Sequence, residues 1–260
     1  MKSPLIIGHR GAAAVAPENT MAAFREAIAV GADGIEFDVR LTRDGVPVVI
    51  HDNNLFRTSG VAARVADLEW SEISKIDVGS MFAIFKDLPS GTFANERVPS
   101  LRELFELFAT NDLLLCLEMK CDSVKAQAPL AEACVSLINE FGFKNRVVVE
   151  CFKLPALVTV KEIDPDIQTA ALFEAPFGIP SSLSDESILK HATAIGASYL
   201  ALNFRLSRSR LLQKAKLANL KVAVWTVDDP TWLDYARENG IDVLITNDPK
   251  IFTDIQGSQH

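Results

Sequence analysis

The fold class the sequence predicts is α/β, a (β/α)8 TIM barrel, on three observations. Eight short apolar, β-branched runs alternate with amphipathic stretches along 260 residues, the usual length of such a barrel. Gly31, Gly142, Gly196 and Gly240 each close a helical stretch just before the next run. No glycine-rich fingerprint follows the first run, which leaves a doubly wound open sheet as the alternative architecture.

The predicted strands, in order, are PLIIG (4–8), GIEFDVRL (34–41), LLLCLEM (113–119), RVVVE (146–150), IQTAALF (167–173), YLAL (199–202), KVAVWTV (221–227) and DVLIT (242–246). Helical periodicity appears between them, for example in TMAAFREAIAVGA and APLAEACVSLINEFG, and Asp248 before Pro249 has the form of an N-cap with proline at the first helical position. The second strand departs from the rhythm. An Asp44-Gly45 turn links it to VPVVI, so it continues into a hairpin that returns His51 towards the strand tip. Residues 53–98 then break the strand–helix alternation and read as a small cap inserted over one barrel face, before SLRELFELFAT restores it at Ser100. The expected organisation is one barrel domain over 1–260 carrying that insertion, with only the terminal QGSQH reading as a tail.

With 48% hydrophobic residues the chain can bury a large core. A net charge of −8 argues against a nucleic-acid or anionic-membrane surface, so an anionic substrate would need a local positive pocket or a metal. The N-terminal apolar run is too short for a signal peptide, and no window is long and apolar enough for a membrane span. Cys116, Cys121, Cys134 and Cys151 form no CxxC pair and read as reduced thiols, which points to a cytoplasmic setting. The oligomeric state is not encoded in any recognisable pattern.

In a barrel, reactive side chains gather at the C-terminal ends of the strands. There the sequence places His9 and Arg10 on the first strand, Glu36 and Asp38 on the second, His51 and Asp52 on its hairpin, and Glu118 and Lys120 on the third. Trp225 ends the seventh and Thr246-Asn247-Asp248 the eighth. Glu36 and Asp38 are two apart and so share a face, as do Glu118 and Lys120. Carboxylates side by side in a barrel are either partly protonated or separated by a cation. Three of them, without thiolate or zinc-motif histidines, suit a hard ion, Mg²⁺ or Ca²⁺. Individually, Glu36 or Glu118 could be a buried ion-pair member, Lys120 a counter-charge and His9 a satisfied core histidine. Asp52 suits a turn cap, and Glu18 the start of a helix, where its charge meets the helix dipole. As a set, Arg10 and Lys120 offer fixed charge for a phosphate, while two histidines offer acid and base near neutral pH, the components of phosphodiester cleavage.

HRGAAAVAPENT, GADGIEFDVRLTRDGVPVVIHD, LEMK, AVWTVDD and GIDVLITNDP, spread over residues 8–249, resemble the glycerophosphodiester phosphodiesterases. The resemblance implies a (β/α)8 barrel with an insertion after strand two. It also implies hydrolysis of small-molecule glycerophosphodiesters, such as glycerophosphocholine and glycerophosphoethanolamine, to glycerol 3-phosphate and an alcohol. By the same resemblance His9 and His51 are the acid/base pair, Glu36, Asp38 and Glu118 hold the metal, Arg10 and Lys120 bind phosphate, and Trp225 walls the pocket. Cys151 stands where the family commonly has serine, which puts the pocket lining there in question. The nearest rival is a phospholipase D-like or phosphoinositide-type lipase on the same barrel. Met81, Phe82, Ile84 and Phe85 could supply its apolar rim, although these residues are expected to pack the cap onto the barrel. A non-catalytic phosphate-binding protein is the alternative outside enzymes.

Overall fold

The computed structural model describes residues 3–175 and 183–257. Its eight parallel strands are β1 (Leu5–His9), β2 (Gly34–Leu41), β4 (Leu114–Met119), β5 (Val147–Cys151), β6 (Gln168–Phe173), β7 (Tyr199–Asn203), β8 (Lys221–Trp225) and β9 (Val243–Thr246). They follow one another round a closed ring, with β1 pairing both β9 and β2, while β3 (Pro47–Val49) lies antiparallel on β2. The fold is therefore the predicted TIM barrel, and the open sheet is excluded by the β1–β2 pairing. Strand limits differ from the expected ones by a residue at most ends; the largest difference is at β8, which stops at Trp225.

Helices α1 (Met21–Ala29), α5 (Leu101–Leu107), α6 (Val124–Glu140), α7 (Leu154–Ile163), α8 (Asp185–Ala194), α9 (Ser209–Leu217), α10 (Trp232–Asn239) and α11 (Pro249–Gly257) surround the strands. Gly31, Gly142, Gly196 and Gly240 all have positive φ, as their place at helix ends requires. Helix α6 begins before the quoted apolar stretch and runs through Pro129, giving up one i→i−4 hydrogen bond. Gln256 and Gly257, expected in a tail, belong to α11; residues 258–260 lie outside the described part.

The odd and even faces of each strand divide the core. Ile35, Phe37 and Val39 face outward into the helix layer, whereas Ile7, Cys116, Val148, Ala170, Ala201, Ala223 and Ile245 fill the barrel interior. This apolar plug lies below the charged residues gathered at the C-terminal end of the barrel.

Residues 53–98 carry three short helices, α2 (Phe56–Ser59), α3 (Trp70–Ile73) and α4 (Ser80–Phe85). Leu55, Val65, Ile73, Val78 and Val98 of this region share one apolar cluster with Val48 of β3 and Ile50 just after it. The expectation for SMFAIF is corrected in part: Ile84 and Phe85 are 68% and 71% exposed, so they do not pack the insertion onto the barrel. A six-residue helix can bury one side only, and α4 buries Ala83 and half-buries Phe82 against Phe93 instead.

Candidate active site

Register on the two central strands brings the carboxylates together. Asp38 of β2 stands opposite Glu118 of β4, and Glu36 lies two residues below on the same face. One carboxylate oxygen from each of Glu36, Asp38 and Glu118 lies within 4.8 Å of the others, all three residues buried. Lys120 Nζ reaches Glu118 Oε1 at 2.7 Å and Asp38 Oδ1 at 3.0 Å, and Arg10 Nε lies 3.1 Å from Asp38 Oδ2. These ion contacts are close but poorly directed: neither Arg10 Nε nor Asp38 Oδ1 makes a hydrogen bond of proper geometry.

A fourth carboxylate, Glu150, pairs in register with Glu118 and is also buried. It was missed in the sequence, although an apolar run ending in glutamate, VVVE, was its signal. Four buried carboxylates thus face two cations, and this excess of like charge favours their protonated forms. Burial, with Asp38 and Glu118 nearby, raises Glu36 well above the usual glutamate range. Burial and the Asp38 charge push Glu118 up to about 7, and burial with Glu118 pushes Glu150 up to about 8. Asp38 goes the other way: burial opposes its ionisation, but Lys120 and Arg10 hold it well below the usual carboxylate range. An all-oxygen donor set, an undirected buried Asp38 Oδ1 and an excess of about two negative charges fit a divalent cation.

The two histidines are held differently. His9 Nδ1 lies 2.8 Å from Asn247 Oδ1, and the Asn247 amide is oriented by its Nδ2 donating to Asp228 Oδ2 at 2.8 Å. With the amide oxygen facing it, Nδ1 is the protonated nitrogen, and Nε2, 3.8 Å from Glu36 Oε2, carries the lone pair. Burial and the Arg10 charge lower His9 to about 4, so the ring is neutral at pH 7. Thr246 and Asn247 N–H also bind Asp228; Asp248 opens α11 and does not line the cavity.

His51 Nδ1 lies 2.7 Å from Asp52 Oδ1, and Asp52 Oδ2 accepts from Arg57 Nε at 2.6 Å. Arg57 also makes a two-pronged contact with Glu18, both distances 2.7 Å, and Glu18 Oε1 accepts from Arg10 Nη1 at 2.9 Å. The expected roles of Asp52 as a turn cap and of Glu18 on the helix dipole are therefore corrected. Thr20 caps α1, and both carboxylates are gripped by an arginine that the insertion supplies. Burial works against Glu18 and Asp52, yet the Arg57 guanidinium holds both below the usual range. Since Arg57 fixes the carboxylates that contact His51 and Arg10, Arg57→Ala should lower kcat/KM about 10–100-fold at unchanged secondary structure, in steady-state assays with circular dichroism as control. Arg57→Lys should recover little, because one ammonium cannot bridge both carboxylates bidentately.

Asn19, inside the quoted PENT, was assigned no role from the sequence. It is buried with φ +57°, donates Nδ2–H to Asp38 Oδ2 at 2.8 Å and accepts Asp38 N–H at 3.2 Å. Gly11 permits this arrangement: its φ is +84°, and a Cβ there would sit 2.6 Å from the Ala23 carbonyl carbon.

His9, Arg10, Glu36, His51, Glu118 and Lys120 line one cavity of about 180 Å³, with Glu150 among them. Trp225, Phe152, Leu172, Ile245 and Glu174 line the rest of it. Trp225 meets Phe152 edge to face at 5.6 Å, and its buried Nε1–H has no acceptor among the described residues. Asp38 lies just behind this surface. Cys151 is turned away from the cavity, its Sγ donating to Met119 O at 3.2 Å, so the departure from serine does not alter the lining; Phe152 supplies it.

The chain is similar throughout to known phosphodiesterases. A family model, the glycerophosphoryl diester phosphodiesterase family, matches residues 9–251. A glycerophosphodiester phosphodiesterase from Caldanaerobacter subterraneus is 33% identical over 246 residues, 95% of each chain. A crystal structure from Silicibacter pomeroyi superposes with a TM-score of 0.86 at 29% identity, covering 98% of this chain and 95% of that one. An Oleispira antarctica phosphodiesterase, in complex with its product sn-glycerol-3-phosphate, has the same fold, with a TM-score of 0.85 at 24% identity over 98% and 97% of the two chains. With matching motifs, matching architecture and this cavity, the chain belongs to the glycerophosphoryl diester phosphodiesterase family and is an enzyme of that class.

Proposed function

We propose that the protein hydrolyses glycerophosphodiesters such as glycerophosphocholine or glycerophosphoethanolamine to glycerol 3-phosphate and an alcohol, with Mg²⁺ or Ca²⁺ held by Glu36, Asp38 and Glu118. The observation that carries this reading is a single cavity receiving two differently held histidines, a carboxylate cluster and two cationic side chains. An ion bound there supplies stabilisation of charge on the non-bridging phosphate oxygens. Arg10 and Lys120 hold the phosphate beside it. His9, neutral with its lone pair at Nε2, accepts the proton of the attacking oxygen. His51, whose Nδ1 faces the Asp52 carboxylate, is the ring better able to carry a proton and gives it to the leaving alkoxide. The insertion, residues 53–98, acts as a small cap whose Arg57 fastens the two halves of this machinery.

A cytoplasmic location agrees with four free cysteines, three of them buried. Among the described residues no helix is long and apolar enough to cross a membrane. One observation favours a second reading: exposed Phe56, Ile84 and Phe85 on the insertion offer an apolar surface to a lysophospholipid. Release of glycerol 3-phosphate across a headgroup panel, with and without each divalent cation, tests the first reading. Faster turnover of lysophosphatidylcholine than of glycerophosphocholine would replace it with the second, and ligand binding without turnover would point to a non-catalytic role.

A further inference from the structure

The phosphate chemistry leaves one wall of the cavity unused. Beside the charged cluster the same cavity is lined by Phe152, Trp225, Leu172 and Glu174, with Lys120 Nζ 5.9 Å from the Phe152 ring centre. Glu174 follows the end of β6 by one residue and is exposed, unlike the four carboxylates of the cluster. Among the described residues it has no hydrogen-bond or ion-pair partner, whereas Arg10 and Lys120 are taken up by Glu18, Asp38 and Glu118. A carboxylate in the same small cavity as a phosphate raises the energy of the bound anion unless the ligand brings positive charge of its own. Aromatic rings beside it favour the same charge, because a spread cation is attracted to a ring face.

We propose that Glu174, Phe152 and Trp225 form a subsite for an ammonium-bearing leaving alcohol, making the enzyme selective for cationic over neutral headgroups. The proposal rests on the phosphodiesterase reading above and adds the basis of its headgroup choice. The phosphate lies at Arg10 and Lys120, and the ammonium of a choline- or ethanolamine-like group lies against the aromatic wall with Glu174 as counter-ion.

The test uses the full chain loaded with its divalent cation and compares kcat/KM for glycerophosphocholine and glycerophosphoglycerol by release of glycerol 3-phosphate. Wild type should prefer the choline diester by about tenfold or more. Glu174→Gln should cut that preference about tenfold, Glu174→Lys should reverse it, and Phe152→Leu, which keeps the wall apolar, should reduce it. Exposure of Glu174 makes misfolding of its variants a minor concern, and thermal melts check this. An unchanged preference in Glu174→Gln, an equal fall on both substrates (the behaviour of a carboxylate that binds the shared glycerol unit), or a wild type without preference would overturn the subsite and leave the phosphodiesterase reading standing. No release from either substrate with Mg²⁺ or Ca²⁺ would overturn both.

Discussion

His51→Ala should lower kcat on glycerophosphocholine by about 10²–10⁴-fold, the usual worth of a positioned acid or base, with a smaller change in KM. His9→Ala should have an effect of similar size, but the two losses should differ in kind. If His51 protonates the leaving alkoxide, a diester with an aryl leaving group needs no such proton, and His51→Ala regains most of its rate on that substrate. His9→Ala does not, because the attacking oxygen still has to lose its proton. Equal rescue of both variants, or rescue of His9→Ala alone, would reverse or remove the assignment. The pH–rate profile supplies a second check. Burial and Arg10 lower His9 to about 4, so as the proposed base it would stay unprotonated down to pH values where an ordinary histidine is charged. The acid limb of kcat/KM should therefore fall below the ordinary histidine value of about 6.5, and the alkaline limb should report loss of the His51 proton. Burial, Arg10 and Lys120 lower His51 in the free protein, and a bound phosphate anion offsets those cations, so the alkaline limb should lie higher in kcat than in kcat/KM.

Much of this site is legible in the sequence because barrel geometry turns strand spacing into proximity. Glu36 and Asp38 are two apart on one strand, and Glu118 ends the adjacent one, so alternation and strand order suffice to bring them together. What escaped the sequence depends on contacts that spacing does not encode. Arg57 lies in an insertion without strand–helix rhythm, yet closes a chain from His51 to Arg10 through Asp52 and Glu18. Asn247 reaches His9 across 238 residues, because β9 is the neighbour that closes the ring onto β1. Glu174 follows an apolar run ended by Phe173, and nothing in its local pattern distinguishes it from a solvent carboxylate. The exposure of Ile84 and Phe85 departs from their sequence pattern for the converse reason: apolarity says what a side chain favours, but a helix of six residues has too little surface to satisfy all of it.

Two of the three proposed metal ligands, Glu36 and Asp38, should separate in their effect on stability while agreeing in their effect on activity. Glu36→Gln should abolish most divalent-cation-dependent turnover and yet raise the melting temperature of the ion-free protein, since it removes a buried carboxylate repelled by Asp38 and Glu118. Asp38→Ala should also abolish turnover but destabilise the fold by about 3–5 kcal/mol, because it strands the cations of Arg10 and Lys120 and the amide of Asn19. The sign of the pH dependence follows from the same groups. Glu118 and Glu150 titrate at about 7 and about 8 in the ion-free fold, above the usual glutamate value of 4.5. Between that value and these, the unfolded chain has released protons that the folded one still holds, so folding loses stability as pH rises through the window. A cation among the carboxylates removes this loss, so the thermal shift on adding Mg²⁺ or Ca²⁺ should grow from about pH 5 to about pH 8 and vanish in Glu36→Gln. A shift that persists in Glu36→Gln would take Glu36 out of the cation's coordination, and equal destabilisation by both substitutions would mean that Glu36, too, is matched by a protein cation.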